Sequence, residues 1–214
     1  MFTGIVEEIG TLSQIKRKRD SMRLEICVRR ILEDIHIGDS IAVNGVCLTV
    51  TEYTQNSFAA DVMPETFMDT SLKTLCTGER LNVERAMAAN GRFGGHFVSG
   101  HVDGVGRIIN RREKSNALYL DISISGQLQE FVINKGSIAV DGTSLTLFHV
   151  ENGIITVSLV PHTQDATILK RKKAGDFVNI ECDLMAKYIV AHMKRSNAQS
   201  EGKWLSLLER SGFQ

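Results

Sequence analysis

The chain has 214 residues, 43% of them hydrophobic, and its 25 Lys and Arg balance 25 Asp and Glu to a formal net charge of zero. That length suits one large domain or two of about 100 residues each, with apolar material for a core in either case. The balanced charge argues against a nucleic acid or other polyanion as partner. No apolar run approaches a membrane span, and the opening MFTGIVEEIG lacks the basic region and long apolar stretch of a signal peptide.

In chain order, the first clear element is IAVNGVCLTVTEY, from Ile41 to Tyr53. Apolar and small polar residues alternate around Asn44-Gly45, a favoured pair for a two-residue hairpin turn because both positions need positive φ. Beyond the turn, Val46, Leu48 and Val50 share one face of a strand, and Cys47, Thr49 and Thr51 share the other. PETFMDTSLKTL, from Pro64 to Leu75, leaves the strand pattern and predicts a short helix opened by proline. A glycine-rich stretch, NGRFGGHFVSGHVDG, follows at Asn90–Gly104. Then IAVDGTSLTLFHV repeats the hairpin signal around Asp141-Gly142, and PHTQDATILKRK repeats the helix signal at Pro161. LMAKYIVAHMKR places Leu184, Tyr188, Ile189, His192 and Met193 at helical spacing, and WLSLLE predicts a last short turn of helix.

The second half rewrites the first. A shift of 97 positions aligns Asp39–Glu84 with Gly136–Glu181 without a gap, and a shift of 96 aligns FTGIVEEIG with VSGHVDGVG. Both prolines of the chain, Pro64 and Pro161, fall in register, as do Asn82 with Asn179 and Glu84 with Glu181. Two copies of this period do not make a solenoid. They predict two tandem β-rich domains split near residues 90–97, each a small closed barrel.

Chemistry is sought where the copies differ. Ile5 becomes His101, Cys47 becomes Ser144, Glu65 becomes His162, and Ala86 becomes Asp183. Kept scaffolds with changed reactive groups suit two similar ligands in unlike roles. His96 and His101 sit among glycines and can move protons near neutral pH; equally, the stretch can be a plain interdomain linker. Cys47 can be an inert buried thiol, and Ser144 and Thr146 ordinary strand residues. Asp183 can simply cap the helix that follows, Lys135 can be a solvated turn charge, and Phe2 can be core. The histidines are spaced wrongly for a pair of ligands on one helix face, so no metal is expected. Cys27, Cys47, Cys76 and Cys182 form no Cys-x-x-Cys, which fits free thiols in a reducing, cytoplasmic setting.

In order and spacing, MFTGIVEE, GDSIAVNGVCLTV, GGHFVSGHVDG, GSIAVDGTSLTL and VNIECD resemble the motifs of the α-type riboflavin synthases, a family with two lumazine-binding repeats. The likeness runs from Met1 to the region of Met193. It implies an all-β fold of two tandem six-stranded Greek-key barrels related by internal duplication, plus a C-terminal α-helix. The implied division is repeat 1 over residues 1–96, repeat 2 over 97–183, and a trimerisation helix and tail over 184–214. The implied reaction takes two molecules of 6,7-dimethyl-8-ribityllumazine, moves a four-carbon unit from one to the other, and yields riboflavin and 5-amino-6-ribitylaminouracil. No cofactor and no metal are implied. The implied assembly is a homotrimer with the reacting pair between barrels of different subunits, and lumazine synthase is a further expected partner. Family members that only hold a fluorescent ligand are the alternative; they tend to lack the histidine pair and the trimer-forming tail.

The resemblance also assigns residues. Substrate contacts in the first barrel transfer to Gly4, Ile5 and Val6, to Cys47, Leu48 and Thr49, and to Asp61, Val62, Met63, Pro64, Glu65 and Thr66, with Phe2 beside them. In the second they transfer to Gly100, His101 and Val102, to Lys135 and Asp141, to Ser144, Leu145 and Thr146, and to Ser158, Leu159, Val160, Pro161, His162 and Thr163. Catalysis or its support falls on Ser40, Cys47, His96, His101, Ser144, Thr146 and Asp183. His101 is the first candidate for proton movement. Cys47, Ser144, or a water held by Ser144 and Asp183 are candidates for the nucleophile that adds to C7 of one lumazine.

Overall fold

The alternation along Ile41–Tyr53 is realised as two strands joined by a turn, with Asn44 and Gly45 at φ of 45° and 79°. The computed structural model describes residues 1–17 and 21–196. The first half contains β1 (Glu8–Arg17), β2 (Met22–Cys27), β3 (Ser40–Val43), β4 (Val46–Tyr53), β5 (Ser57–Val62) and β6 (Arg80–Arg85). The second contains β7 (Gly104–Lys114), β8 (Ala117–Ser123), β9 (Ser137–Val140), β10 (Thr143–Glu151), β11 (Ile154–Leu159) and β12 (Phe177–Cys182).

Each set closes into an antiparallel barrel. The neighbour order is β1-β2-β5-β4-β3-β6 in the first, and the same order, read from β7, in the second. β3, β4 and β5 follow one another as hairpins while β5 also pairs with β2, so the β2–β3 connection crosses over as in a Greek key. Even the irregularities are duplicated. Register shifts fall at Leu12/Gln14 and Ile108/Asn110, and again at Val50/Glu52 and Leu147/His149. Bulges at matching places bend both sheets alike.

The inward faces form two separate apolar cores, Leu48, Val50, Phe58 and Val83 among the first and Leu145, Leu147, Val157 and Ile180 among the second. Full burial of each such side chain contributes about 1.5–3 kcal/mol, and closure leaves no sheet edge exposed. A third, smaller cluster of Phe2, Ala42, Val98 and Ala139 lies between the barrels. The turn tips also meet there: a Cβ on Gly45 would stand 2.6 Å from the backbone nitrogen of Gly142.

The predicted short helices are present as α1 (Pro64–Asp69) and α2 (Pro161–Ala166), each with proline in its first turn. A longer helix, α3, covers residues 184–196. The WLSLLE segment and the rest of Ser200–Gln214 lie outside the described residues. Among the described residues, no helix is long and apolar enough to cross a membrane.

Candidate active site

Two extended lips, residues 2–6 and 98–102, run side by side between the barrels. Phe2 N–H donates to the Val98 carbonyl at 2.7 Å, and Val98 N–H donates back to Phe2 at 3.2 Å. Each lip then crosses to the barrel of the other repeat. Ser144 N–H on β10 donates to the Gly4 carbonyl at 2.7 Å, and Cys47 N–H on β4 donates to the Gly100 carbonyl at 2.8 Å. Gly4 and Gly100 adopt φ of 76° and 82°. A Cβ on Gly4 would lie 2.6 Å from Ser144 Cβ, and one on Gly100 2.5 Å from Cys47 Cβ. Positive φ and close approach together require glycine. Gly4 therefore lies against the second barrel and Gly100 against the first, each across from the barrel with which the resemblance grouped it. The lips are exchanged.

Each lip is pinned by a buried carboxylate of its own repeat. Glu84 on β6 accepts from Thr3 N–H at 2.7 Å, from the Thr3 hydroxyl at 2.8 Å and from Gly4 N–H at 3.1 Å. Glu181 on β12 accepts from Ser99 N–H at 2.6 Å, from the Ser99 hydroxyl at 2.7 Å and from Gly100 N–H at 3.0 Å. Burial pushes the Glu84 carboxyl up from its ordinary pKa, against the three lip hydrogen bonds. Neither glutamate stands out as functional in the sequence. The signal was there: one acid kept at the matching strand position of both copies.

The second-barrel site gathers around Ser144. His96 Nδ1 stands 2.7 Å from Ser144 Oγ, and His96 N–H donates to the Thr3 carbonyl at 3.1 Å. The imidazole is 8% exposed, and its Nε2 has no partner among the described residues. Burial lowers the His96 pKa, opposed by the negative charge of Asp183. With Nδ1 unprotonated, the ring can take the hydroxyl proton of Ser144. Asp183 itself accepts from Met185 N–H at 2.9 Å and so caps α3. Thr146 is exposed, two residues along the same face of β10.

The first-barrel site is built alike but armed differently. Cys47 occupies the strand position of Ser144 and is a half-buried free thiol. Beside it on the crossing lip, His101 is exposed, with its N–H donating to Ser99 Oγ at 3.2 Å. Thr49 and Asp61 face solvent, and Ser40 is half-buried with its carbonyl accepting from Ala86 N–H at 3.0 Å. The rims lie at the starts of α1 and α2. Met63, Glu65, Val160, Pro161 and His162 are exposed there, and Pro64, Thr66, Ser158 and Thr163 are half-buried. Lys135 holds φ of 67° where the first copy has Gly38, and its ammonium lies 4.6 Å from the Phe148 ring centroid. A cleft of about 370 Å³ adjoins the first lip, lined by Thr3, Ile5, Arg85, Met87 and Gly94 among others.

Several of the expected contact residues turn their side chains away from the surface. Leu48, Val62, Leu145 and Leu159 are 4%, 1%, 7% and 0% exposed because strand alternation turns them into the barrels. Only their backbones can meet a substrate. Phe2 is fully buried under the paired lips and shapes them from behind. Asp141 is also fully buried. It accepts from Asn179 N–H at 2.8 Å within the seam and faces Lys172 at 3.5 Å, so it presents no surface to a ligand. Cys182 is buried, and its thiol is pushed up to about 12, which makes it inert.

Twin barrels joined by exchanged lips define a duplicated β-barrel protein with two candidate sites that share a scaffold and differ in their side chains. The lumazine binding domain model matches residues 3–86 and again residues 99–183. The chain is 51% identical to the riboflavin synthase of Bacillus subtilis (strain 168), with 100% of both chains covered. It is 46% identical to that of Actinobacillus pleuropneumoniae over the same full coverage. Against the riboflavin synthase of Saccharomyces cerevisiae it is 43% identical, covering 88% of this chain and 84% of that one. Among solved structures, LumP complexed with 6,7-dimethyl-8-(1'-D-ribityl) lumazine superposes with a TM-score of 0.77 at 26% identity, covering 85% of this chain and 99% of LumP. LumP complexed with riboflavin gives a TM-score of 0.79 at the same identity and coverage. The chain belongs to the riboflavin synthase family.

Proposed function

We propose that this chain makes riboflavin from two molecules of 6,7-dimethyl-8-ribityllumazine, with 5-amino-6-ribitylaminouracil as the other product. The observation that carries the mechanism is the unlike pair at one strand position, Cys47 beside His101 and Ser144 bonded to His96. One substrate must give up four carbons and the other accept them. Two like sites with unlike groups suit that division. Holding both rings in register supplies on the order of 7–11 kcal/mol when alignment is ideal.

The second barrel is read as the donor site. Its Ser144–His96 pair suits addition at C7, by the serine oxygen or by a water held there and by Asp183, with the proton passing to the imidazole. The first barrel is read as the acceptor site. There the 7-methyl group loses a proton, the ring delocalises the charge, and His101 takes the proton. Thr49, Thr146, Asp61 and Lys135 are read as hydrogen-bonding the ring or the ribityl chain. No metal or redox cofactor enters this scheme.

The assembly is read as a homotrimer. Support comes from α3, whose Met185, Ile189 and Met193 are 56%, 55% and 58% exposed at four-residue spacing. Such a stripe calls for a facing partner. Both candidate sites are open faces that a second copy can cover. The four free thiols fit a cytoplasmic setting. Lumazine synthase is proposed as a neighbour because its product class is this substrate. Residues 1–96 and 97–183 are taken as the two repeats.

The test is direct. Purified protein given only the lumazine is expected to make one riboflavin for every two lumazines consumed. A ligand that binds and fluoresces while its amount never falls would instead place the chain with binding proteins such as LumP.

A further inference from the structure

We propose that Glu84 and Glu181 are positioning residues that act across the barrel boundary, Glu84 setting the geometry of the second-barrel site at Ser144 and Glu181 that of the first-barrel site at Cys47. Glu84 sits on β6, beside Cys47 in its own barrel through Ala42, and Glu181 sits on β12 beside Ser144 through Ala139. Proximity alone would couple each acid to the reactive side chain of its own barrel. The hydrogen bonds run otherwise.

Glu84 takes both donors of Thr3 and the N–H of Gly4. That fixes two carbonyls. The Gly4 carbonyl receives Ser144 N–H, and the Thr3 carbonyl receives His96 N–H. One carboxylate of the first repeat thus sets the serine and the histidine that meet at 2.7 Å in the second-barrel site. Glu181 does the same for Ser99 and Gly100, whose carbonyl receives Cys47 N–H, while Ser99 Oγ receives the N–H of His101. The contacts leave no slack, since a single carbon added to Gly4 or Gly100 would overlap the opposite strand. A shift of the lip is therefore passed on to the reactive atoms. Misplacement of about 1 Å can cost about 100-fold in rate.

This rests on the reading of Ser144 and Cys47 as the centres of the two substrate sites, so the test has one readout that needs no turnover. Glu84→Gln and Glu181→Gln keep the shape of the side chain but turn one acceptor oxygen into a donor facing a lip N–H. The full chain, labelled with 15N at serine and cysteine, reports the amides of Ser144 and Cys47. Glu84→Gln is expected to move the Ser144 amide more than the Cys47 amide, and Glu181→Gln the reverse. In the lumazine assay each variant is expected to lower kcat about tenfold or more, with KM changed far less. If each variant moves the amide in its own barrel instead, or if kcat and KM suffer alike, the crossed role is overturned. Should Glu84→Gln fail to fold, Thr3→Val removes only the hydroxyl contacts, and its shift at Ser144 or at Cys47 decides the same question. Wild-type protein that makes no riboflavin, yet whose variants show the crossed shifts, would sink the enzyme reading and leave the crossed linkage standing.

Discussion

Asn82 and Asn179 exchange partners across the seam between the barrels. Asn82 Nδ2 donates to the carbonyl of Asp141 at 2.8 Å, and Asn179 Nδ2 donates to the carbonyl of Asn44 at 2.8 Å. Each side-chain oxygen also receives an N–H from the other repeat, Ile168 to Asn82 at 2.8 Å and Ser71 to Asn179 at 2.7 Å. Both asparagines are buried. Asn82→Ala or Asn179→Ala orphans a buried carbonyl and a buried N–H at once, and each orphan costs about 1–3 kcal/mol. We expect either variant to lose at least about 2 kcal/mol in denaturant unfolding, and the double variant to separate the barrels into two transitions. A single variant with wild-type midpoint would show that the seam is held by other contacts.

The two seam turns differ at one atom, and the difference titrates. Asp141 is fully buried, and burial pushes its carboxyl up from 3.8, opposed by Lys172. A raised folded pKa means that the protonated acid is favoured by folding. The stability contribution is complete below the ordinary value and is lost as pH rises through the folded one. At pH 7, where the unfolded chain carries this carboxyl ionised, its burial is therefore a burden, which Asn44 avoids at the matching place in the first copy. Asp141→Asn keeps the acceptor for Asn179 N–H, and Lys172 keeps its bond to the Phe177 carbonyl at 2.8 Å. We expect the variant to be more stable than wild type at pH 7, with the gap closing as pH falls toward the ordinary aspartate value. A variant less stable at pH 7 would show that the Lys172 pair outweighs the burial cost.

Much of this was legible in the residues. The 97-residue shift gave both barrels, and Asn44-Gly45 and Asp141-Gly142 gave both hairpins, because those turn types need residues that tolerate positive φ. Pro64 and Pro161 marked both short helices. The lip exchange was not legible. Nothing in the alternation of MFTGIVEE or VSGHVDG says whether a strand-like segment packs on its own barrel or the next, since both barrels offer the same surface. Glu84 and Glu181 showed as an acid kept in both copies, but their role did not, because most of their partners are backbone amides, which carry no sequence signature. Asp141 was placed among the substrate contacts by the resemblance, and the abutting second turn, which the sequence does not reveal, buries it.

The lip glycines give a prediction about site coupling. Gly100→Ala brings a Cβ to 2.5 Å from Cys47 Cβ and 2.9 Å from a ring carbon of Phe2, at a φ of 82° that alanine resists. The lip must lift away from β4 and take its carbonyl from Cys47 N–H. We expect the variant to lose turnover almost entirely, and to expose the Cys47 thiol to alkylation faster than wild type. Unchanged alkylation would mean that the lip tolerates the methyl group without lifting.

His101 offers a cleaner separation of binding from chemistry. It is exposed on the crossing lip and touches the protein through its backbone N–H. His101→Gln leaves that contact intact and removes the basic nitrogen. Turnover is expected to slow far more than lumazine affinity weakens. Equal losses in kcat and in affinity would argue that the ring positions the substrate and moves no proton.

The two matching strand positions differ in the base within reach. Ser144 has a buried histidine at 2.7 Å, whereas no imidazole hydrogen bond reaches the Cys47 thiol among the described residues. General-base help is worth about 100-fold or more. Ser144→Ala should therefore lower kcat by about that factor, while Cys47→Ser, which writes the second copy's residue into the first, should cost less than about tenfold. The histidine adds a pH signature. Its pKa lies below the ordinary 6.5 because of burial. Above 6.5 His96 is neutral both folded and unfolded; as pH falls, the unfolded chain takes the proton first, so stability drops through the folded value. Wild type is thus expected to lose kcat and stability together on the acid side, and His96→Gln to lack the stability loss. An NMR titration that put His96 above 6.5, or a Cys47→Ser variant slower than Ser144→Ala, would remove the serine–histidine pair from the centre of the mechanism.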